Sequence, residues 1–253
     1  MVQETHLSSQ QVHLNSDDAN YISNGKYVFF FDDIIEAPRG VQMLVSLINC
    51  TFPMSFYVIN ESNNQLFYNN TSFTFPVGNY SVTELRNQLK TISDFTDVQY
   101  SRVTNKLKIL SSNSFTIHST STCLKLLGLT KQSHVSVNNE ITSDSVVNIS
   151  GISSIYIHSN LLTKSIDSRR GGYSNLLSRV PINAIRNGFL NFSPDNIFRS
   201  QIANRTVDYI QIAIEDDEEN NIDFNKQEWV ITLQFDFQYT KFSPSVEKKN
   251  PSL

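Results

Sequence analysis

This sequence predicts an all-β chain: an antiparallel β-sandwich interrupted by one small α+β insertion. Three observations predict it. Apolar and polar residues alternate over short runs, most clearly in the stretch 207–239, and side chains of a strand repeat with a period of two. Such runs recur along the chain between Asn-, Asp- and Ser-rich segments, as the strands of a sandwich do. Helical spacing with a capping signal appears in a single region, 76–130.

The totals fit this class. At 253 residues, 39% hydrophobic and 11% aromatic, the chain can fill one large β core or two small ones. Eight glycines are too few for the turns expected, so Asn, Asp and Ser take that role. A net charge of −4 argues against nucleic-acid binding, whose electrostatic footprint is basic. Cys50 and Cys123 have no metal or redox spacing; one disulfide is open, with reduced thiols the default. The first residues contain no apolar leader-like stretch, and runs such as "YVFFF" are too short to span a bilayer. Sequons at Asn49, Asn60, Asn70, Asn79, Asn148, Asn191 and Asn204 read as chance in so Asn-rich a chain. The expectation is a soluble protein made in a cytoplasm, with no cofactor.

In chain order, residues 1–20 are polar and read as an extended arm. The sandwich is expected over 21–75 and 131–242. Tyr27 to Phe31 is a continuous apolar run, the mark of a strand covered on both faces. A turn at Ala37 to Gly40 leads to a strand carrying Met43, Val45 and Leu47, interrupted by Pro53 and resumed at 56–59. Residues 66–75 supply one or two more strands. The insertion, 76–130, opens with a capping box, Ser81 and Glu84. Val82, Leu85, Leu89 and Ile92 then follow at helical spacing, giving a helix over 82–91. Strands at 98–103 and 106–110 flank a tight turn at Thr104-Asn105, Phe115 and Ile117 make a third, and "STCLKLLGLT" reads as a short helix stopped by Gly128. Residues 133–144 are polar. Ile155 and Ile157 mark a strand that Leu161 and Leu162 extend. "SIDSRRGGYSN" has the composition of a mobile loop, 176–182 is a strand, and 187–196 holds a short one between two turns.

Two long strands close the fold. Ile210, Ile212 and Ile214 share one face of the first. Trp229, Ile231, Leu233, Phe235, Phe237 and Tyr239 share one face of the second. The pattern reads as an antiparallel hairpin with a solvated acidic tip at 215–221, and the second strand as the centre of the core. Residues 243–253 are a polar tail.

A search for chemistry finds no catalytic constellation. The histidines at 6, 13, 118, 134 and 158 lack metal-ligand spacing. His158 with Asp167 forms an imaginable pair, but a strand-end histidine at a surface is the simpler reading. Arg169-Arg170 suits a phosphate or acidic partner, against a ligand-free basic loop. The acids at 215–219 lack the alternating spacing of a calcium loop. Asp32 and Asp33 read as a strand end rather than an acid/base pair, and the Trp229 and Phe235 row as core rather than a sugar platform.

Several stretches resemble the minor capsid, or penton, proteins of virophages, Polinton-like elements and related viruses. They are "SIYIHSNLL" (154–162), "LLSRVPIN" (176–183), "NRTVDYIQIAIEDDEENNIDFNKQEWVITLQFDF" (204–237) and, in the insertion, "FPVGNYSVTELRNQL", "VTNKLKIL" and "STCLKLLGL". The resemblance implies a single jelly roll, five copies of which form a vertex capsomer beside trimers of a double-jelly-roll major capsid protein. It implies a non-enzymatic structural role with contacts to self and shell, and an insertion that projects from the sandwich toward the outer vertex surface. Two other classes compete: a trimeric viral fibre head or receptor-binding sandwich, and a carbohydrate-active β-sandwich enzyme with facing carboxylates.

Overall fold

The computed structural model describes residues 5–239, so the expected polar tail lies outside them. The chain begins with β1 (Thr5–Asn15), β2 (Tyr21–Ser23), β3 (Lys26–Glu36) and β4 (Val41–Pro53). It continues through β5 (Gln65–Tyr68), β6 (Thr71–Thr74), α1 (Val82–Leu89), β7 (Phe95–Ser101) and β8 (Lys106–Ser111). Three short strands follow, β9 (Thr116–Ile117), β10 (His134–Val135) and β11 (Glu140–Thr142). The rest are β12 (Ser154–Ser159), β13 (Ser165–Asp167), β14 (Gly172–Ser174), β15 (Leu176–Pro181), β16 (Phe189–Phe192), β17 (Ser200–Gln201), β18 (Thr206–Glu215) and β19 (Val230–Tyr239). These divide into two compact units, one of Met1–Ser55 with Ser154–Leu253, the other Phe56–Ser153. The second unit contains the whole of 76–130 and extends it on both sides.

The first unit is an antiparallel sandwich. One sheet runs β1-β19-β4-β16, with β17 also on β4; the other runs β15-β12-β18-β3-β2. Numbering only the eight principal strands in chain order (β1, β3, β4, β12, β15, β16, β18, β19), the sheets read 1-8-3-6 and 5-4-7-2. That is the strand order of a jelly roll, two Greek keys wrapped into one sandwich. The inner faces supply the core: Leu14, Val45, Phe52, Leu233 and Phe235 from one sheet, Phe29, Ile157, Ile210, Ile212 and Ile214 from the other, all buried. Trp229, fully buried, closes one end, with Tyr27 edge-on at 4.8 Å and Phe29 and Phe52 at 6.2 and 6.4 Å.

Three expectations are corrected here. The closing pair is not a hairpin: β18 pairs with β12 and β3, while β19 pairs with β1 and β4. Period-two patterning fixes which faces are apolar but not which strands pair, and the 14 residues between Glu215 and Val230 let the chain cross from one sheet to the other. The expectation that β19 is central holds. Within the stretch read as an arm, β1 is ordered in register with β19 from Asn15↔Val230 to Thr5↔Tyr239. Finally, β3 is not covered on both faces: Phe29 is buried but Phe30 is 54% exposed.

The second unit packs α1 and two small sheets, β10-β9-β5-β6 and β11-β8-β7, around Leu66, Phe75, Leu85, Leu89, Phe95, Leu107 and Ile117. The capping box is present: Ser81 Oγ accepts from Glu84 N–H at 3.2 Å, and Glu84 Oε2 accepts from Ser81 N–H at 2.7 Å. Those backbone and hydroxyl donations hold the Glu84 carboxyl below the usual range. Asn105 takes φ +54 in the turn between β7 and β8. The expected helix near Leu124 is instead a run of hydrogen-bonded turns, Leu127 N–H to Cys123 O and Leu129 N–H to Leu124 O. Gly128, at φ +73, ends it where a Cβ would lie 2.5 Å from Ser145 O. Strands β10 and β11 fall in the segment read as merely polar.

Candidate functional site

The outer face of the β15-β12-β18-β3-β2 sheet carries the residues that the sequence singles out. Tyr156, His158, Ala213 and Glu215 share this face, because Tyr156 lies opposite Glu215 and His158 opposite Ala213. A strand interior that alternates places them outward, where water would normally meet them. Yet His158 is 1% exposed and Glu215 9%. Residues 165–174 cover them. This segment, expected to be a mobile loop, is the β13–β14 hairpin, in register from Ser165↔Ser174 to Asp167↔Gly172.

The hairpin is held by ions. Arg169 Nη2 lies 2.7 Å from Asp167 Oδ2, its Nη1 donates to Asp216 O at 2.7 Å, and its guanidinium carbon sits 3.5 Å over the Tyr156 ring. Arg170 Nη2 lies 2.8 Å from both Glu215 oxygens. His158 Nδ1 is 3.0 Å from Asn175 Oδ1, and its Nε2 is 3.1 Å from Arg169 Nη2 and 3.3 Å from Glu215 Oε2. A neutral ring donating Nδ1–H to Asn175 accepts at Nε2 from Arg169. A charged ring donates from both nitrogens, to Asn175 and Glu215. Asp216 turns inward too, its Oδ1 accepting the N–H groups of Glu218 and Asn220 at 2.7 and 2.9 Å.

The electrostatics follow from these contacts. Hydrogen bonds from Arg169 hold the Asp167 carboxyl below its ordinary range. Burial pushes Glu215 up, and hydrogen bonds from His158 and Arg170 outweigh it, leaving the carboxyl lowered. Burial likewise opposes the charge of Arg169, but Asp167 wins and the guanidinium is raised. A carboxylate depressed by arginine is a poor base at neutral pH, so this arrangement fastens a hairpin rather than moving protons.

His158 and Asp167 are therefore brought together, but through Arg169. Arg169-Arg170 and Glu215 also belong to this cluster, where sequence reading placed a free basic loop and a solvated acidic tip. Glu215 and Asp216 are engaged as described. Among the described residues, no group of three or more His, Cys, Asp or Glu side chains is placed to hold a metal ion. Trp229 and Phe235 are core. Cys50 and Cys123 are free and buried, and burial pushes each thiol up to about 12. Among the described residues, no helix is long and apolar enough to cross a membrane.

The other half of the same face is open. Tyr21, Phe30 and Tyr209 form an aromatic row, ring centroids 6.1 and 6.0 Å apart, along a concavity of about 520 Å³ that Lys26, Val28 and Gln211 also line. Sequence reading missed this row. Its signal was the aromatic run in β3 together with Tyr209 on the polar face of β18, since an outward aromatic in a sandwich has nothing above it. Beside the row, β3 makes a wide bulge. Ile35 pairs with Val207 and Phe30 with Tyr209, so Phe31, Asp32, Asp33 and Ile34 oppose Asp208 alone. Asp32 and Asp33 are exposed there, at a bulge rather than a strand end.

Among solved structures, the chain is similar to the crystal structure of selenomethionine-labelled mavirus penton protein. It has a TM-score of 0.46 and 11% identity, covering 93% of this chain and all of that one. No protein-family model matches the chain, and no curated protein matches it in sequence.

Proposed function

We propose that the chain is a structural capsid protein, the subunit of a pentameric vertex capsomer in an icosahedral virus, and that it acts without catalysis. The observation that carries the reading is where its large apolar side chains are exposed. In the second unit these are Tyr57 and the valines at 77, 103, 135, 137 and 146. In the sandwich they include Tyr21, Ile22, Phe30, Ile34 and Tyr209 on β2, β3 and β18, Ile166 and Tyr173 on the β13–β14 hairpin, Val230 and Tyr239 on β19, and Ile185, Phe189, Ile197 and Phe198 on β16 and the loops beside it. Exposed apolar clusters on a soluble fold mark contact surfaces. A jelly roll is a common capsid architecture, and a fold alone does not decide function, so the exposed apolar residues carry the weight. The stretches that resemble penton proteins support the same reading; in the sandwich they fall on β12, β15, β18 and β19.

The physics of such a role is assembly. Cyclic packing is heterologous, one flank of each subunit meeting a different flank of the next. In this reading the capsomer's neighbours are trimers of a major capsid protein, and the protein works in the virion. Electron microscopy of the purified chain tests it. Five-membered rings are expected; a stable trimer would point to a fibre head and contradict the proposal.

A further inference from the structure

The open half of the outer face has the build of a ligand platform. Strands β2, β3 and β18 turn Tyr21, Phe30 and Tyr209 out of the sheet, each about half exposed. Val28, opposite both Tyr21 and Gln211 in the ladders, is buried at 3% and forms the floor between them. The concavity of about 520 Å³ falls within the roughly 300–1,000 Å³ of small-ligand sites. Ser23, Lys26 and Gln211 give it a polar lining.

The two halves of this face use their polar groups differently. On the covered half, Asn175 engages His158, Arg170 engages Glu215 and Arg169 lies over Tyr156. On the open half, no hydrogen bond or ion pair among the described residues engages the side chains of Ser23, Lys26 or Gln211. Open donors and acceptors around three outward rings suit a ligand with a polar edge and an apolar face.

Area, geometry and charge narrow the class. The exposed parts of the three rings amount to roughly 300 Å², well short of the roughly 800 Å² per partner that a stable protein contact uses. Ring centroids step by 6.1 and 6.0 Å, and each plane is turned, by 40° and 43°, from the one before. A flat fused-ring ligand therefore lies on one ring only, whereas a chain of separate rings joined by rotatable bonds follows all three. Nucleic acid is such a chain, but its stacking sites sit in basic grooves. Here the exposed carboxylates of Asp32, Asp33 and Asp208 stand beside the row and Lys26 is the one cation lining the concavity. A chain of uncharged rings remains. A sugar unit offers C–H groups to the negative face of an aromatic ring and hydroxyls to amide, ammonium and hydroxyl groups.

We infer that this concavity is a binding site for a neutral oligosaccharide of two or three sugar units. One unit stacks on each ring, and Gln211, Lys26 and Ser23 hydrogen-bond to the hydroxyl edges. The site lies within one copy of the chain, so it does not rest on the capsid reading.

An array of neutral, sialylated and sulfated glycans, probed with the purified chain, tests the site. Maltotriose, triacetylchitotriose and any neutral glycan bound on the array are then titrated by calorimetry, each beside its monosaccharide. At least one neutral trisaccharide is expected to bind, about tenfold more tightly than its monosaccharide. Phe30→Ala is expected to weaken it about tenfold, Phe30→Tyr to retain it, Gln211→Ala to weaken it and Phe198→Ala, elsewhere on the sandwich, to leave it unchanged. Circular dichroism confirms the fold of each variant. The site is overturned if no neutral glycan binds, if F30A binds as wild type does, or if only sialylated or sulfated glycans bind. A native mass that falls in F30A makes the row a contact between copies, which overturns the glycan site and leaves the capsid reading standing. Glycan binding that F30A abolishes, in a chain that forms no five-membered rings, upholds the site and sinks the capsid reading alone.

Discussion

Arg169 is the residue on which the covered half of the sheet depends. It neutralises Asp167, crosses to Asp216 O and stacks on Tyr156. Removing one partner of a buried ion pair leaves the other charge uncompensated. Arg169→Ala is therefore expected to cost about 3 kcal/mol, read by urea unfolding, with hydrogen exchange rising across 165–174 first. Acid should act through the same groups. Asp167 and Glu215 both have depressed carboxyls, so their stabilisation is complete above the ordinary carboxylate range and lost as pH falls below about 4. A stability profile between pH 6 and pH 3 should be flatter in R169A than in wild type; equal slopes would remove the network from the account. Sequence alone could name His158, Asp167, Arg169, Arg170 and Glu215 but not join them. The contacts span up to 57 positions, between His158 and Glu215, and composition cannot report such distances. Arg, Gly and Ser read as a loop because their partners were out of sight.

At the scale of elements, legibility followed locality. The helix α1 was readable because its start is written in four residues, Ser81 to Glu84, and its buried face in Leu85 and Leu89. Ser81→Ala is expected to lower stability by about 1 kcal/mol, measured as a drop in the melting temperature of the full chain. The turn at Gly128 is equally local. There Gly128→Ala combines an unfavourable positive φ with a clash against Ser145 O, and more than about 1 kcal/mol is expected by the same measurement. Strands were legible as strands for a similar reason, since alternation is local. Their partners were not. The apolar rows of β18 and β19 face one another across the core as members of two sheets, and the same alternation reads as a hairpin. The bulge in β3 escaped notice because it is a relation between Phe31–Ile34 and Asp208, not a property of either.

For the whole molecule, the two closing strands set the plan. β19 sits between β1 and β4, β18 sits between β12 and β3, and Trp229 fills the space where the chain has crossed between sheets. Trp229→Ala should cost about 3–5 kcal/mol, checked by chemical denaturation, and should abolish assembly along with stability. The aromatic content that the composition promised is thus used twice, inward around Trp229 and outward in the Tyr21–Phe30–Tyr209 row. The most direct measurement is the mass of the native particle formed by the purified chain, counted in copies. Five copies per ring is the predicted result; a stable trimer, or a monomer at every concentration, would contradict it.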